Sequence, residues 1–306
     1  MHAISRQHLV LLTVLTLVWG INWPIMKMGI MAYQPLTFRV LSMWIGLPVL
    51  ALLLVWRRVP FRVAREHWGA LAVLTVFNML FWHTLAVLAI QSLSSGRAAI
   101  LGYTMPVFSA ILGAFWFGQR LPSRAWGGVA AAALGVVLLL WHEFVRLSGA
   151  PQGVAMMLVA AAGWAVGTQM MRRTTLPYQT LALSFWMTVL TATWMTLLAW
   201  VFESDGWSMP SPMVWSSILY NAIGVFAFAQ VAWLVLARDL PPIASTLSVM
   251  MIPVLGVFSG AWWLGEVLHW QDLAAVLLIM VAIASVLWPA RATQSASAQD
   301  GSASDA

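Results

Sequence analysis

Runs of about 20 predominantly apolar residues recur from one end of this chain to the other, separated by short polar connections. A helix of that length crosses a hydrocarbon core of about 30 Å. The alternating pattern of a membrane β-barrel is missing, which leaves helices as the spanning solution. Ten spans are read at about residues 9–30, 36–56, 67–90, 97–118, 124–142, 152–171, 180–202, 213–236, 243–264 and 271–289. Of 306 residues, 62% are hydrophobic and 8% charged, where a soluble domain carries about 25% charged residues. The expected fold class is an all-α polytopic membrane protein. The first span runs from Leu9 past Pro24 with no small-residue cleavage site, as a retained helix rather than a removed signal peptide.

Basic residues test the count, because cytoplasmic loops hold the excess of Lys and Arg. With the N-terminus inside, Arg6, Arg57, Arg58, Arg62, Arg65, Arg120, Arg124, Arg172, Arg173, Arg238 and Arg291 fall on the cytoplasmic side, eleven of fifteen. Lys27, Arg39, Arg97 and Arg146 fall on the other, and residues 203–212 between the seventh and eighth spans read as an acidic outer loop. Both termini are expected in the cytoplasm: residues 1–8, and a small, polar, disordered tail over 290–306. Scattered singly or in pairs, the cations behind the net charge of +6 describe topology rather than a nucleic-acid surface. Trp56, Trp68, Trp126, Trp141, Trp200, Trp215, Trp270 and Trp288 sit near span ends, where indole rings favour the interface. With no cysteine, disulfides, thiolate metal sites and a cysteine nucleophile are excluded, and nothing calls for a metal or cofactor.

The chain contains itself twice. Shifting TMPVFSAILGAFWFGQRL (104–121) by 147 positions lands without a gap on MIPVLGVFSGAWWLGEVL (251–268). Pro106 meets Pro253, Gly113 meets Gly260, Trp116 meets Trp263 and Gly118 meets Gly265. Ten identities accumulate over 94–141, where roughly four would arise by chance in so skewed a composition. Fainter matches pair Trp19 with Trp164 and Lys27 with Arg172 at an offset of 145. Five spans per half is an odd number, so the second copy enters the membrane from the opposite side. Two inverted five-helix repeats follow, over 9–142 and 152–289. Secondary transporters are built this way, with the solute near the midplane and interrupted helices at corresponding positions. Pro106 and Pro253 are accordingly expected to mark broken or kinked fourth and ninth helices lining a shared cavity.

WGINWPIMK (Trp19–Lys27), PLTFRV with Arg39, GRAAILGYTMP running to Pro106, and GEVL (Gly265–Leu268) together resemble the drug/metabolite transporter superfamily, specifically its ten-helix EamA-type exporters. The resemblance extends to about residue 289. It implies ten helices in two inverted repeats around a central cavity, moving small organic solutes by alternating access. Amino acids, related carboxylate-bearing compounds and drug-like solutes are the implied cargo, with efflux the first reading and import of a metabolite or vitamin the second. Gln119 departs from the pattern, standing where the family often has a glutamate to match Glu266.

Ionisable groups inside spans are costly and mark function by default. Lys27, Arg39 and Arg97 lie at the outer ends of the first, second and fourth spans, and with Glu266 they outline a cationic vestibule suited to carboxylates. Two other readings stand beside it: Lys27 and Arg39 snorkel to the interface, and Arg97 pairs with Glu266. Deeper positions are neutral: Asn22, Asn78, His83, Tyr103, Gln169, Asn221 and Gln230, with Trp23, Trp82, Trp186 and Trp233 as candidate aromatic lining. These groups orient a solute or simply bond neighbouring helices. His83 titrates nearest physiological pH in its unperturbed state, so a proton through His83 or Glu266 is one coupling partner. Facilitated diffusion and exchange for a second solute stay open beside it, since no membrane-embedded aspartate is expected. A membrane enzyme lacks support, there being no HExxH, no paired carboxylates and no phosphate-binding loop. A channel built from charged rings or a carbonyl filter lacks it too.

Overall fold

A computed structural model describes residues 6–118, 123–145, 151–230, 232, 236 and 242–287. Among these every regular element is helical. The expectations for Gln119, Arg120, Arg146, Trp233, Arg238, Trp288, Arg291 and the tail lie outside the described residues. The helices are α1 (Arg6–Ala32), α2 (Pro35–Trp56), α3 (Trp68–Thr75), α4 (Phe81–Ser92), α5 (Ser95–Gly102), α6 (Met105–Phe117), α7 (Ser123–Val145), α8 (Pro151–Arg173), α9 (Thr180–Glu203), α10 (Pro212–Leu219), α11 (Pro242–Leu264) and α12 (Trp270–Leu287). Two π-helical segments, Val76–Leu80 and Tyr220–Ala229, join α3 to α4 and extend α10. These elements make up the ten expected spans: α3 to α4 is the third, α5 with α6 the fourth, and α10 with its π segment the eighth.

Seven of the spans are long and apolar enough to cross a bilayer, and shorter apolar helices over Ser123–Leu139, Met251–Leu264 and Trp270–Ser285 belong to the fifth, ninth and tenth. Their outward side chains are apolar, with Trp116, Trp262 and Leu277 respectively 77%, 86% and 63% exposed. A contiguous surface of that kind needs lipid rather than water against it. Trp56, Trp126, Trp141, Trp200 and Trp270 are likewise exposed near helix ends.

The packing reproduces the internal repeat. The second span packs on the seventh, the fourth on the ninth and the fifth on the tenth, each pair being its own image under an exchange of halves. Other contacts come in exchanged pairs: first with ninth and sixth with fourth, third with sixth and eighth with first, second with eighth and seventh with third. One local device is copied too. Gly118 and Gly265, aligned at the offset of 147, follow α6 and α11 with φ of 61° and 64°, the left-handed geometry that ends a helix without the penalty a Cβ would impose.

The two prolines behave differently. The fourth span breaks after Gly102, at Tyr103 and Thr104, and Pro106 falls in the first turn of α6, where a missing N–H is harmless. The Thr104 hydroxyl donates to the Leu101 carbonyl at 2.6 Å, satisfying a group that the break exposes. The ninth span instead runs unbroken through Pro253. Its aligned residues, Val249 and Met251, supply neither the glycine nor the hydroxyl.

Sequence reasoning missed the π segments. The repeat offset of 145 carries Val76–Leu80 onto residues 221–225, inside Tyr220–Ala229, so both halves hold a widened turn at the same place. Such turns concentrate at functional sites because they displace side chains from helical register. Asn78 and Asn221 lie in them. A helix from the other half comes very close to the first: a Cβ on Gly167 of α8 would stand 2.6 Å from the Asn78 backbone nitrogen. Gly167→Ala is expected to destabilise the protein by about 1–3 kcal/mol through forced separation. Gly69→Ala is the control, since nothing lies within 4 Å of a Cβ there. Equal thermal unfolding temperatures for the two variants would refute the tight contact.

Candidate functional site

One end of the bundle, here the far end, gathers the C-termini of α1, α4, α9 and α11 and the N-termini of α2, α5, α10 and α12, as the polar contacts there require. Helix N-termini present unpaired N–H groups and partial positive charge. Glu203, closing α9, answers the start of α2, accepting from the Leu36 N–H at 2.9 Å, the Thr37 N–H at 2.7 Å and the Thr37 hydroxyl at 2.7 Å. Glu266, just past α11, answers the start of α5, accepting from the Ser95 N–H at 2.7 Å, the Ser95 hydroxyl at 2.8 Å and the Gly96 N–H at 3.3 Å. Each carboxylate ties one half of the chain to the other.

Lys27 and Arg97 are also engaged there. The Lys27 ammonium donates to the carbonyls of Ile90, Gln91 and Leu93 at 2.7, 3.1 and 2.9 Å, closing the C-terminal end of α4. Arg97 corrects an expectation, for its Nε bonds Asp272 Oδ1 at 2.7 Å, where a pairing with Glu266 was considered. Asp272, in the first turn of α12, is enclosed by the protein and 4% exposed. Its other oxygen accepts the His269 N–H at 2.9 Å. A cavity of about 400 Å³ opens beside these contacts, lined by Lys27, Met28, Met31, Met213, Leu264 and Glu266 among others.

Arg39 differs from its two fellow cations. It lies one turn inside α2 and is 4% exposed, so it does not snorkel. Nη1 donates to Asn221 Oδ1 at 3.3 Å, Nη2 touches the Met26 sulfur, and the guanidinium stands 5.6 Å over the Phe226 ring. The Arg39 Nε is buried without a hydrogen-bond partner. His83, 8% exposed, sets its ring 5.3 Å from the same Phe226, and its Nδ1 is unpartnered too. Arg39 of α2 and His83 of α4 therefore share the Phe226 ring, and Asn221 of the second π segment holds Arg39 beside it.

An aromatic layer adjoins this cluster. Trp82, next to His83 in α4, meets Trp23 of α1 at 6.4 Å and Trp164 of α8 at 5.0 Å between ring centroids, both edge to face. Trp23 and Trp82 pack against Gly102, at the break of the fourth span, where Tyr103 is buried. Asn22 sits beside Trp23 with its Oδ1 buried and unpartnered. The other candidates lie apart. Gln169 ties α8 to α6 through the Ser109 carbonyl and hydroxyl at 2.7 and 3.0 Å, near the opposite end. Asn78 bonds its own helix at Leu74. Gln230 follows the second π segment, half-buried. Trp186 bonds the Phe61 carbonyl at a second cavity, of about 680 Å³, among the loop arginines Arg62 and Arg65.

Two halves packed by exchange symmetry, widened turns at equivalent positions and polar groups enclosed between them define a polytopic membrane transporter rather than an enzyme. The chain belongs to the EamA-like transporter family, whose pattern matches twice, over residues 7–141 and 151–288. It is 25% identical over 272 residues to the uncharacterized transporter YoaV of Bacillus subtilis (strain 168), covering 88% of this chain and 92% of that one. The uncharacterized inner membrane transporter YedA of Escherichia coli (strain K12) is 26% identical over 298 residues, with 94% of each chain covered. A probable amino-acid metabolite efflux pump of Salmonella typhimurium (strain LT2) is 27% identical over 292 residues, covering 91% and 94%. A solved crystal structure sharing 22% identity superposes with a TM-score of 0.67 over 96% of this chain and 100% of its own, a likeness of fold.

Proposed function

We propose that this chain exports an amino acid or a related carboxylate-bearing metabolite across the bacterial inner membrane by alternating access between its halves, residues 9–142 and 152–289. The closed far end carries the reading. Glu203, Glu266 and the Arg97–Asp272 pair join helix ends of both halves around one mouth, where Lys27 ties two helix ends of the first half. With both termini cytoplasmic, as the loop arginines favour, that mouth faces outward, and the solute is loaded from inside. The similarity to an efflux pump for amino-acid metabolites supports the same cargo class.

Cells overexpressing the wild-type chain are expected to enrich a carboxylate metabolite in the medium, and cells expressing Arg97→Ala are not. Enrichment inside the wild-type cells would make the protein an importer. No difference from cells lacking the chain would overturn transport of this class. Coupling is either to a proton or to an exchanged solute. The Glu266 carboxylate is already held by three donors, so His83 is the stronger proton candidate. An unchanged response to a pH gradient in the His83→Gln, Glu266→Gln double variant would rule out both.

A further inference from the structure

We propose that Arg39, flanked by Asn221 and His83, is the subsite that takes the carboxylate of the transported solute. The proposal rests on the transporter reading and adds the group that recognises the cargo. A buried guanidinium retains its charge, and enclosing it away from water is costly unless an anion or a full set of acceptors faces it. Every other charged side chain named at the far end has such company: Lys27 meets three carbonyls, Arg97 meets Asp272, and Glu203 and Glu266 meet helix N-termini. Arg39 does not. Among the described residues no carboxylate lies within ion-pair distance of it, its neutral contacts are one amide oxygen, one thioether and the face of the Phe226 ring, and its Nε is orphaned.

The surroundings suit an incoming carboxylate. Nε and Nη2 form one edge of the planar fork, and that edge bonds both oxygens of a carboxylate at once. Here one of the two is free and the other faces only the Met26 sulfur, a weak acceptor that a carboxylate displaces. Asn221 donates to the Ser217 carbonyl at 3.1 Å, which turns its oxygen toward Arg39 and fixes the opposite side of the fork. His83, whose Nδ1 is unpartnered, sets its ring 5.3 Å from the same Phe226 ring. Phe226, Trp23 and Trp82 offer apolar surface to the remainder of the solute. A structural role for Arg39, tying α2 to the π segment through Asn221, explains Nη1 alone.

The test uses purified full-length protein and two probes of nearly one shape, benzoate and the uncharged benzamide, read by thermal unfolding across a concentration series. Benzoate is expected to stabilise the wild type and benzamide to do so far less. Arg39→Gln should weaken benzoate binding roughly tenfold to a hundredfold, as loss of charge-assisted bonds implies, while Arg39→Lys retains part of it. Should Arg39→Gln fail to fold, His83→Ala is expected to reduce the benzoate response without affecting that to benzamide. Equal stabilisation by both probes, no response to benzoate in wild type, or a benzoate response indifferent to these substitutions would overturn the subsite. Solute release from cells is a separate readout, so transport by a protein that ignores benzoate would refute Arg39 and leave the transporter reading intact.

Discussion

Replacing Glu266 with glutamine is expected to unlatch the far end of the bundle and lower the thermal unfolding temperature. The wild-type carboxylate faces three donors, two from the α5 backbone and one from the Ser95 hydroxyl. An amide brings one acceptor oxygen and turns an N–H₂ toward groups that are themselves donors, and it removes the negative charge facing the helix N-terminus. Hydrogen bonds to charged groups contribute about 1.5–3 kcal/mol each, and a stranded donor costs about as much, so a net loss of roughly 2–4 kcal/mol follows. Because the chain has no cysteine, a single Met28→Cys reporter beside the far-end cavity gives a clean accessibility signal. Faster labelling by a membrane-impermeant thiol reagent in the Glu266→Gln background is the predicted outcome. Unchanged labelling and stability would mean that the carboxylate is not a latch.

Breaking the Arg97–Asp272 pair should be more damaging still. Its side chains are 12% and 6% exposed, and the bond measures 2.7 Å. Removing one member of a buried pair leaves a charge without compensation, at a cost of about 3–5 kcal/mol. Asp272→Ala also uncaps the first turn of α12, where the carboxylate accepts the His269 N–H. The informative comparison is Arg97→Met with Asp272→Leu, singly and together. The double variant is expected to be more stable than either single one, because neither charge is then stranded. Additive losses would show the two residues acting independently.

The ten spans and their duplication were legible because both follow from long-range regularities: lengths set by the bilayer, and ten aligned identities that include the helix-ending Gly118 and Gly265. The break in the fourth helix was legible as well, since a proline in an apolar run demands an explanation. Its twin misled. Pro253 has the same alignment but not the preceding Gly-Tyr-Thr that lets the chain turn, so identical prolines produced different backbones.

The site was harder to read. In a soluble helix the polar face shows which side is buried; in an all-apolar span no such stripe exists, and Arg39 looked like a residue able to reach the interface. Its enclosure depends on Met26, Phe226 and Asn221, which come from distant parts of the chain. Asp272 looked like a polar residue at a helix start and proved to be the partner of an arginine 175 positions away. The π segments left no compositional trace. Asn78 and Asn221 were noticeable, but nothing in the residues around them marked the widened turns that carry them.

Alternating access between two inverted halves is tested most directly by measuring two distances in one protein. Spin labels at Met31 and Val267 report across the far end, and labels at Trp56 and Thr180 across the opposite end, each pair joining the two halves at exposed positions. On passing from wild type to Glu266→Gln, the far-end distance should lengthen while the other shortens. Two distances that lengthen together, or neither changing, would contradict a transporter that opens one mouth by closing the other.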